Sequence, residues 1–172
     1  SILEGANNGD RSRYVRSTYD NDIDNWNLGI KRSSQIEINN EIKSTSTFDY
    51  TEYGEPYDTV ENGIETHFRY HEDGSLESTW VNNKPATTYS NYKRGVPQTI
   101  TNPLNVTETR VVNDTGTIAS FTNGLYQTTE FTYDGLNRLS SITYPLGLPV
   151  AIEHFTDRTE TERGNFKQVE QL

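Results

Sequence analysis

The chain has 172 residues, of which 31% are hydrophobic with tyrosine counted; the 12 glycines raise that only to about 38%, below the roughly 45–50% of ordinary globular domains. Fifteen Lys and Arg stand against 25 Asp and Glu, and a net charge of −10 excludes a phosphate backbone as an expected partner. Cysteine is absent, which removes disulfides, thiolate nucleophiles and cysteine metal sites together, while 11 Tyr, 6 Phe and 2 Trp are more aromatic surface than a disordered segment carries.

In chain order, the opening SILEGANN has no initiator methionine and reads as part of something longer, with residues 1–10 expected as a loosely ordered lead. No apolar run approaches membrane-spanning length and no signal-peptide core is present, so membrane insertion is not expected of this stretch. From Arg13, RYVRSTYDNDIDNWNLGIKRSSQIEI reads as a strand, an enlarged turn ending at Gly29, and a second strand. Turns then recur at Gly54, Gly74, Gly95, Gly116 and Asn137, with spacings of 20, 21, 21 and 21. Four residues before each turn lie Tyr50, Tyr70, Asn91, Val112 and Tyr133, and two residues earlier Phe48, Phe68, Tyr89, Arg110 and Phe131. That alternation predicts a strand carrying one aromatic-rich face into each turn, with the rings stacked as a ladder of cross-strand contacts.

After each turn comes a second short segment, SLESTW, VPQTIT, TIASFT or RLSSIT. Its apolar residues fall two and five positions past the turn, as Leu139 and Ile142 do, and a spacing of three predicts a bulge where the strand starts. Second turns follow at VNNK, TNPLN, TNGLY and TYPLG, rich in Asn, Gly and Pro. TDRTET interrupts the register and ERGNFKQVEQL resumes it. The expected fold is all-β: residues 11–172 as one segment of about six hairpin units, or about twelve strands, forming one curved, spiralling antiparallel sheet.

Few residues point to chemistry. His67 and His71 have a metal-ligand spacing only on a helix, since on a strand they stand about 13 Å apart, and His154 is isolated. Asp20, Asp22 and Asp24 alternate as in hard-cation loops, but Asn25 stands where an EF-hand needs glycine and Lys31 where it needs glutamate. An acidic surface turn is the expected reading, with those three aspartates the weak metal candidates and no cofactor assigned. No serine occupies a Gly-x-Ser-x-Gly elbow, and no catalytic residue is named.

The stretch FTYDGLNRLSSITYPLG resembles the repeat unit of RHS proteins, also called YD-repeat proteins. Their units run Tyr-Asp, two or three residues, Gly or Asn, Arg-Leu, a short strand and a Pro/Asn/Gly turn. YDNDIDNWNLGIKRSSQI is similar to another segment of these proteins, in which a Trp and Leu-Gly precede a fresh run of repeats. The resemblance covers about residues 10–170, and is thinnest at the Gly95 and Gly116 units, which keep the spacing without the Tyr-Asp pair.

The resemblance implies a large bacterial protein, secreted or displayed on the cell surface, whose hairpins pair into a spiralling sheet. In toxin members that sheet is a hollow shell around a toxic C-terminal domain, and animal teneurins look alike in this region. The implied role is structural and non-catalytic, with the remaining repeats and the toxin domain as partners. The aspartyl self-cleavage motif of some members has no match here. A role from a different class is a cell-surface adhesion module binding glycan through exposed aromatics such as Trp80. Asn105-Val106-Thr107 and Asn113-Asp114-Thr115 are glycosylation sequons that a bacterial protein leaves unused. Unpaired sheet edges at either end of such a piece predict self-association.

Overall fold

The structure, a computed structural model, describes residues 2–8, 11–24 and 27–171. It is all-β and antiparallel, without a helix among the described residues. The chain divides into two units, residues 1–86 and 87–172. The first holds β1 (Ile2–Asn8), β2 (Arg11–Asp22), β3 (Asn27–Ile38), β4 (Glu41–Tyr50), β5 (Pro56–Glu61), β6 (Ile64–Tyr70) and β7 (Leu76–Val81), each paired with its sequence neighbour. The second holds β8 (Thr87–Lys93), β9 (Val96–Thr101), β10 (Thr107–Val112), β11 (Ile118–Thr122), β12 (Thr128–Tyr133), β13 (Leu139–Thr143), β14 (Val150–His154), β15 (Arg158–Arg163) and β16 (Phe166–Gln171), connected in the same way.

Two expectations are corrected here. Among the described residues the strands number sixteen. Ile2–Asn8, expected within a loose lead, is β1, paired with β2 from Ile2↔Ser17 to Asn8↔Arg11. Ladder pairing uses backbone N–H and C=O groups and asks little of side chains, so a stretch with no period-two signal still forms a strand.

The bulges fall where the three-residue spacing of apolar positions requires them. Thr132 pairs with Ser141 but Tyr133 pairs with Leu139, so one extra residue is absorbed and Leu139 shares a face with Ile142. The same shift occurs at Asp49/Tyr50, Arg69/Tyr70 and Val111/Val112.

Each unit is a sheet without a second layer. In the second unit, Tyr89 pairs with Ile100, Phe121 with Thr129, Phe131 with Ile142 and Ile142 with Val150, which puts these side chains on one face. Thr109, Ser120, Thr122, Thr128, Glu130 and Thr132 share the other. Val112, at 2% exposure, is the one fully buried hydrophobic side chain among the described residues.

Stacked cations supply part of the cover that a second layer would give. Seven cation–ring contacts occur among the described residues, where about two are typical of this length, among them Arg158 at 4.2 Å from the Phe155 ring. The aliphatic stems of these residues shield ring surface while their charges stay wet. On the polar face, hydroxyls bridge strands directly, as Thr122 and Thr128 do at 2.9 Å.

Candidate functional site

The stretch from Tyr133 to Leu139 shows what the repeat motif does. β12 is built from alternating exposed and half-buried residues and ends on Tyr133. Its phenol donates to the Ile118 carbonyl at 2.9 Å, tying the strand end to the start of β11. Asp134 then opens a five-residue loop: its N–H donates to Arg138 O at 2.9 Å, and Asn137 N–H donates back to Asp134 O at 3.0 Å. Asp134 Oδ1 accepts the N–H groups of Leu136 and Arg138, and Oδ2 takes the Arg138 guanidinium at 2.7 Å. These bonds, the Arg138 backbone N–H foremost, lower the carboxyl pKa to about 2. Asn137 sits left-handed at φ 60, a conformation that Asn tolerates better than most residues. The Tyr133 phenol, the Asp134 carboxylate and the Arg138 guanidinium are thus engaged in closing one hairpin and fastening it to the one before.

The same devices recur. Tyr70 Oη donates to Pro56 O at 2.8 Å. His154, 21 residues after Tyr133, donates from Nε2 to Leu139 O at 2.9 Å, so an imidazole takes the phenol's place. The five-residue loop is repeated at Thr51–Glu55, His71–Ser75 and Asn113–Thr117. Gly54, Gly74 and Gly116 hold its left-handed fourth position, with φ of 85, 80 and 91. Gly95 sits differently. Arg94 (φ 53) and Gly95 (φ 77) form a two-residue turn between paired Lys93 and Val96.

Two further loops of the five-residue kind, Asn102–Val106 and Asn123–Gln127, close the opposite ends of the strands with Asn105 and Tyr126 left-handed. Sequence reading took these only as generic turns. Their signal is an Asx residue opening a loop every 10 or 11 residues, at Asn102, Asn113, Asn123 and Asp134.

The rings fall as follows. In the first unit Phe48 pairs with Thr59 and Thr59 with Thr66, placing Phe48 and Phe68 on one face, with Tyr50 and Tyr70 two residues beyond them. In the second unit Tyr89, Phe131 and Tyr133 share a face. Arg110 occupies the column position there, over the Phe121 ring at 5.2 Å, 3.8 Å from Glu108, and with Nη1 buried without a hydrogen-bond partner.

On the opposite face of the first unit, His67 lies between Asp58 and Trp80. Its Nδ1 is 2.7 Å from Asp58 Oδ1, so that nitrogen carries the proton, and its ring stacks on the indole at 5.0 Å. Arg69 lies 4.8 Å from the Trp80 ring and 4.3 Å from that of Tyr57. The indole is therefore packed by the chain's own cation and imidazole rather than left bare.

Asp20 pairs with Arg32 at 3.6 Å and accepts the Asn21 N–H at 2.9 Å. Asp24 stands in the turn after β2, and the Asp22 side chain lies outside the described residues. Among the described residues no three His, Asp or Glu gather as a metal site.

No protein-family model matches the chain, and no curated protein matches it. Solved structures do. The chain aligns over 91% of its length with the crystal structure of TcdB2-TccC3-TEV, at 12% identity and a TM-score of 0.58. It also aligns over 94% of its length with a Photorhabdus luminescens Tc holotoxin pore, at 9% identity and a TM-score of 0.48. The chain spans 10% and 12% of those two solved chains. The first of these likenesses assigns the fold, which is RHS-like.

Proposed function

We propose that the chain is a non-catalytic wall segment of a large bacterial YD-repeat protein that encloses or presents a toxin domain carried elsewhere in the same parent. The observation that carries this reading is the fold likeness to the TcdB2-TccC3-TEV chain over 91% of the segment. The side-chain chemistry supports it. Tyr133, Asp134, Asn137, Arg138 and His154 are all used in fastening hairpins. A single layer with one half-buried apolar face and one hydroxyl-rich face suits a wall better than a catalytic domain. The remaining repeats of the parent are its structural partners, and export to the cell surface or beyond belongs to the same reading.

Electron cryo-microscopy of the intact parent tests it, together with protease protection of its C-terminal domain. A hollow particle with this segment in its wall, and a C-terminal domain that resists protease until the wall is opened, is expected. A solid particle, or an open strip of sheet with a freely digested C-terminal domain, rules the reading out. Glycan-array binding that Trp80→Ala abolishes would replace it with an adhesion role.

A further inference from the structure

Between the loops Thr51–Glu55 and His71–Ser75 of the first unit runs an open groove of about 760 Å³. Its lining includes Tyr50, Tyr53, Tyr57 and Tyr70 together with Glu52 and Glu55. The rings of Tyr50, Tyr53 and Tyr70 and the carboxylates of Glu52 and Glu55 form an environment for positive charge, because ring faces and carboxylates both attract cations. Glu55 is held in place: its Oε2 accepts the Thr51 hydroxyl at 2.6 Å. Gly74 faces it, and a Cβ there would stand 3.2 Å from Glu55 Oε1, so bare backbone leaves that side of the carboxylate open.

The local field is negative. The Tyr53 phenol is raised above its usual pKa, first by its hydrogen bond with Glu52 and then by the charges of Glu52 and Glu55. Tyr70 is raised first by burial and then by Glu55. The chain's own guanidinium groups already stack on tyrosines of this region, Arg32 at 5.7 Å from Tyr50 and Arg69 at 4.3 Å from Tyr57. Arg69, the arginine in the lining, is engaged by Tyr57, Trp80 and, at 3.9 Å, Asp58. Its charge is therefore drawn toward the other side of the strand. At longer range a net charge of −10 steers cations toward the chain.

We propose that this groove is a binding site for an organic cation, an ammonium or guanidinium group with apolar flanks, held by the tyrosine rings and the carboxylates of Glu52 and Glu55. The proposal is independent of the wall reading, since it rests on the groove alone.

Titration of the 172-residue protein at low ionic strength, followed by NMR shifts of Tyr53 and Gly74, tests it. The probes are choline, its uncharged carbon isostere 3,3-dimethylbutanol, and capped tripeptides with a central lysine or arginine. Saturable binding of a cationic probe is expected, with the uncharged isostere about tenfold weaker or worse. Glu55→Gln keeps the size and the Thr51 acceptor, and is expected to weaken cation binding several-fold without shifting the melting temperature. Tighter binding of choline than of the tripeptides assigns the site to a free quaternary ammonium; the reverse order assigns it to a basic polypeptide side chain. Equal binding of the uncharged isostere, or no saturation by any cation, overturns the proposal. If Glu55→Gln fails to fold, the comparison of choline with its isostere on the unaltered protein decides the matter.

Discussion

The hairpins β10–β11 and β12–β13 stand 21 residues apart and close through the same loop, yet they share almost none of the side chains that fasten it. Tyr133 reaches back to a carbonyl of β11, whereas Val112 at the matching position is buried at 2% exposure and its N–H takes Gln98 Oε1 at 3.2 Å. Asp134 caps its loop with two backbone N–H groups, whereas the Asn113 amide donates sideways to Thr117 Oγ1 at 2.9 Å. Gly116 and Asn137 hold the same left-handed position by different means. What repeats is a backbone path with one bulge and one left-handed residue. The Tyr-Asp letters are one of at least two ways to fasten it.

The largest expected effect separates the two hairpins by burial. Val112→Ala removes the one fully buried hydrophobic side chain among the described residues and is expected to cost about 2–3 kcal/mol, read from urea unfolding. An effect no larger than that of Val111→Ala, a substitution at a 57% exposed neighbour, would show that the first hairpin is not held by burial. Next comes the left-handed position. A Cβ at Gly116 would meet nothing nearer than Arg94 Cβ at 3.8 Å, so Gly116→Ala costs only backbone strain, roughly 1–2 kcal/mol. Asn137→Gly should be close to neutral, and equal costs at the two sites would mean that the loops are not the same loop.

The phenol is a smaller term. Tyr133→Phe deletes the bond to Ile118 O and is expected to cost about 1 kcal/mol, against no measurable change for Tyr126→Phe at a 90% exposed ring. The smallest effect is acidic. The Asp134 carboxyl titrates at about 2 when folded, below the ordinary aspartate value of about 3.9, so its contribution is present above about pH 4 and lost as pH falls through 2. Asp134→Asn should flatten that part of the acid unfolding curve, and a curve unchanged between pH 4 and 2 would show that the loop carboxylate does not stabilise the fold.

The hairpin period was legible because an aromatic before a turn and a glycine or asparagine inside it are local signals. The bulges were legible too, from the spacing of Leu139 and Ile142. Gly95 was placed by spacing alone, and spacing cannot tell a five-residue loop from the two-residue turn that Arg94 makes possible. β1 was missed because backbone pairing leaves no mark on side-chain pattern. The stack of Tyr57, Arg69, Trp80 and His67 was also out of reach, since it depends on which residues of three strands face one another across two registers. The Tyr-rich groove likewise joins two loops 20 residues apart whose nearness only the pairing of β4 to β7 provides.

The most direct test of the wall reading uses the absence of cysteine from this chain. Thr109→Cys and Thr129→Cys place single thiols on opposite faces of the second unit, beside Thr122 and beside Phe121 respectively. Each is challenged with a small maleimide and with a bulky polyethylene-glycol maleimide, in the isolated segment and in the intact parent, with background labelling subtracted. Both thiols should accept both reagents in the segment, and in the parent one of the two should admit only the small reagent. Equal labelling of both by the bulky reagent in the intact parent would mean that neither face is enclosed, and would contradict a shell.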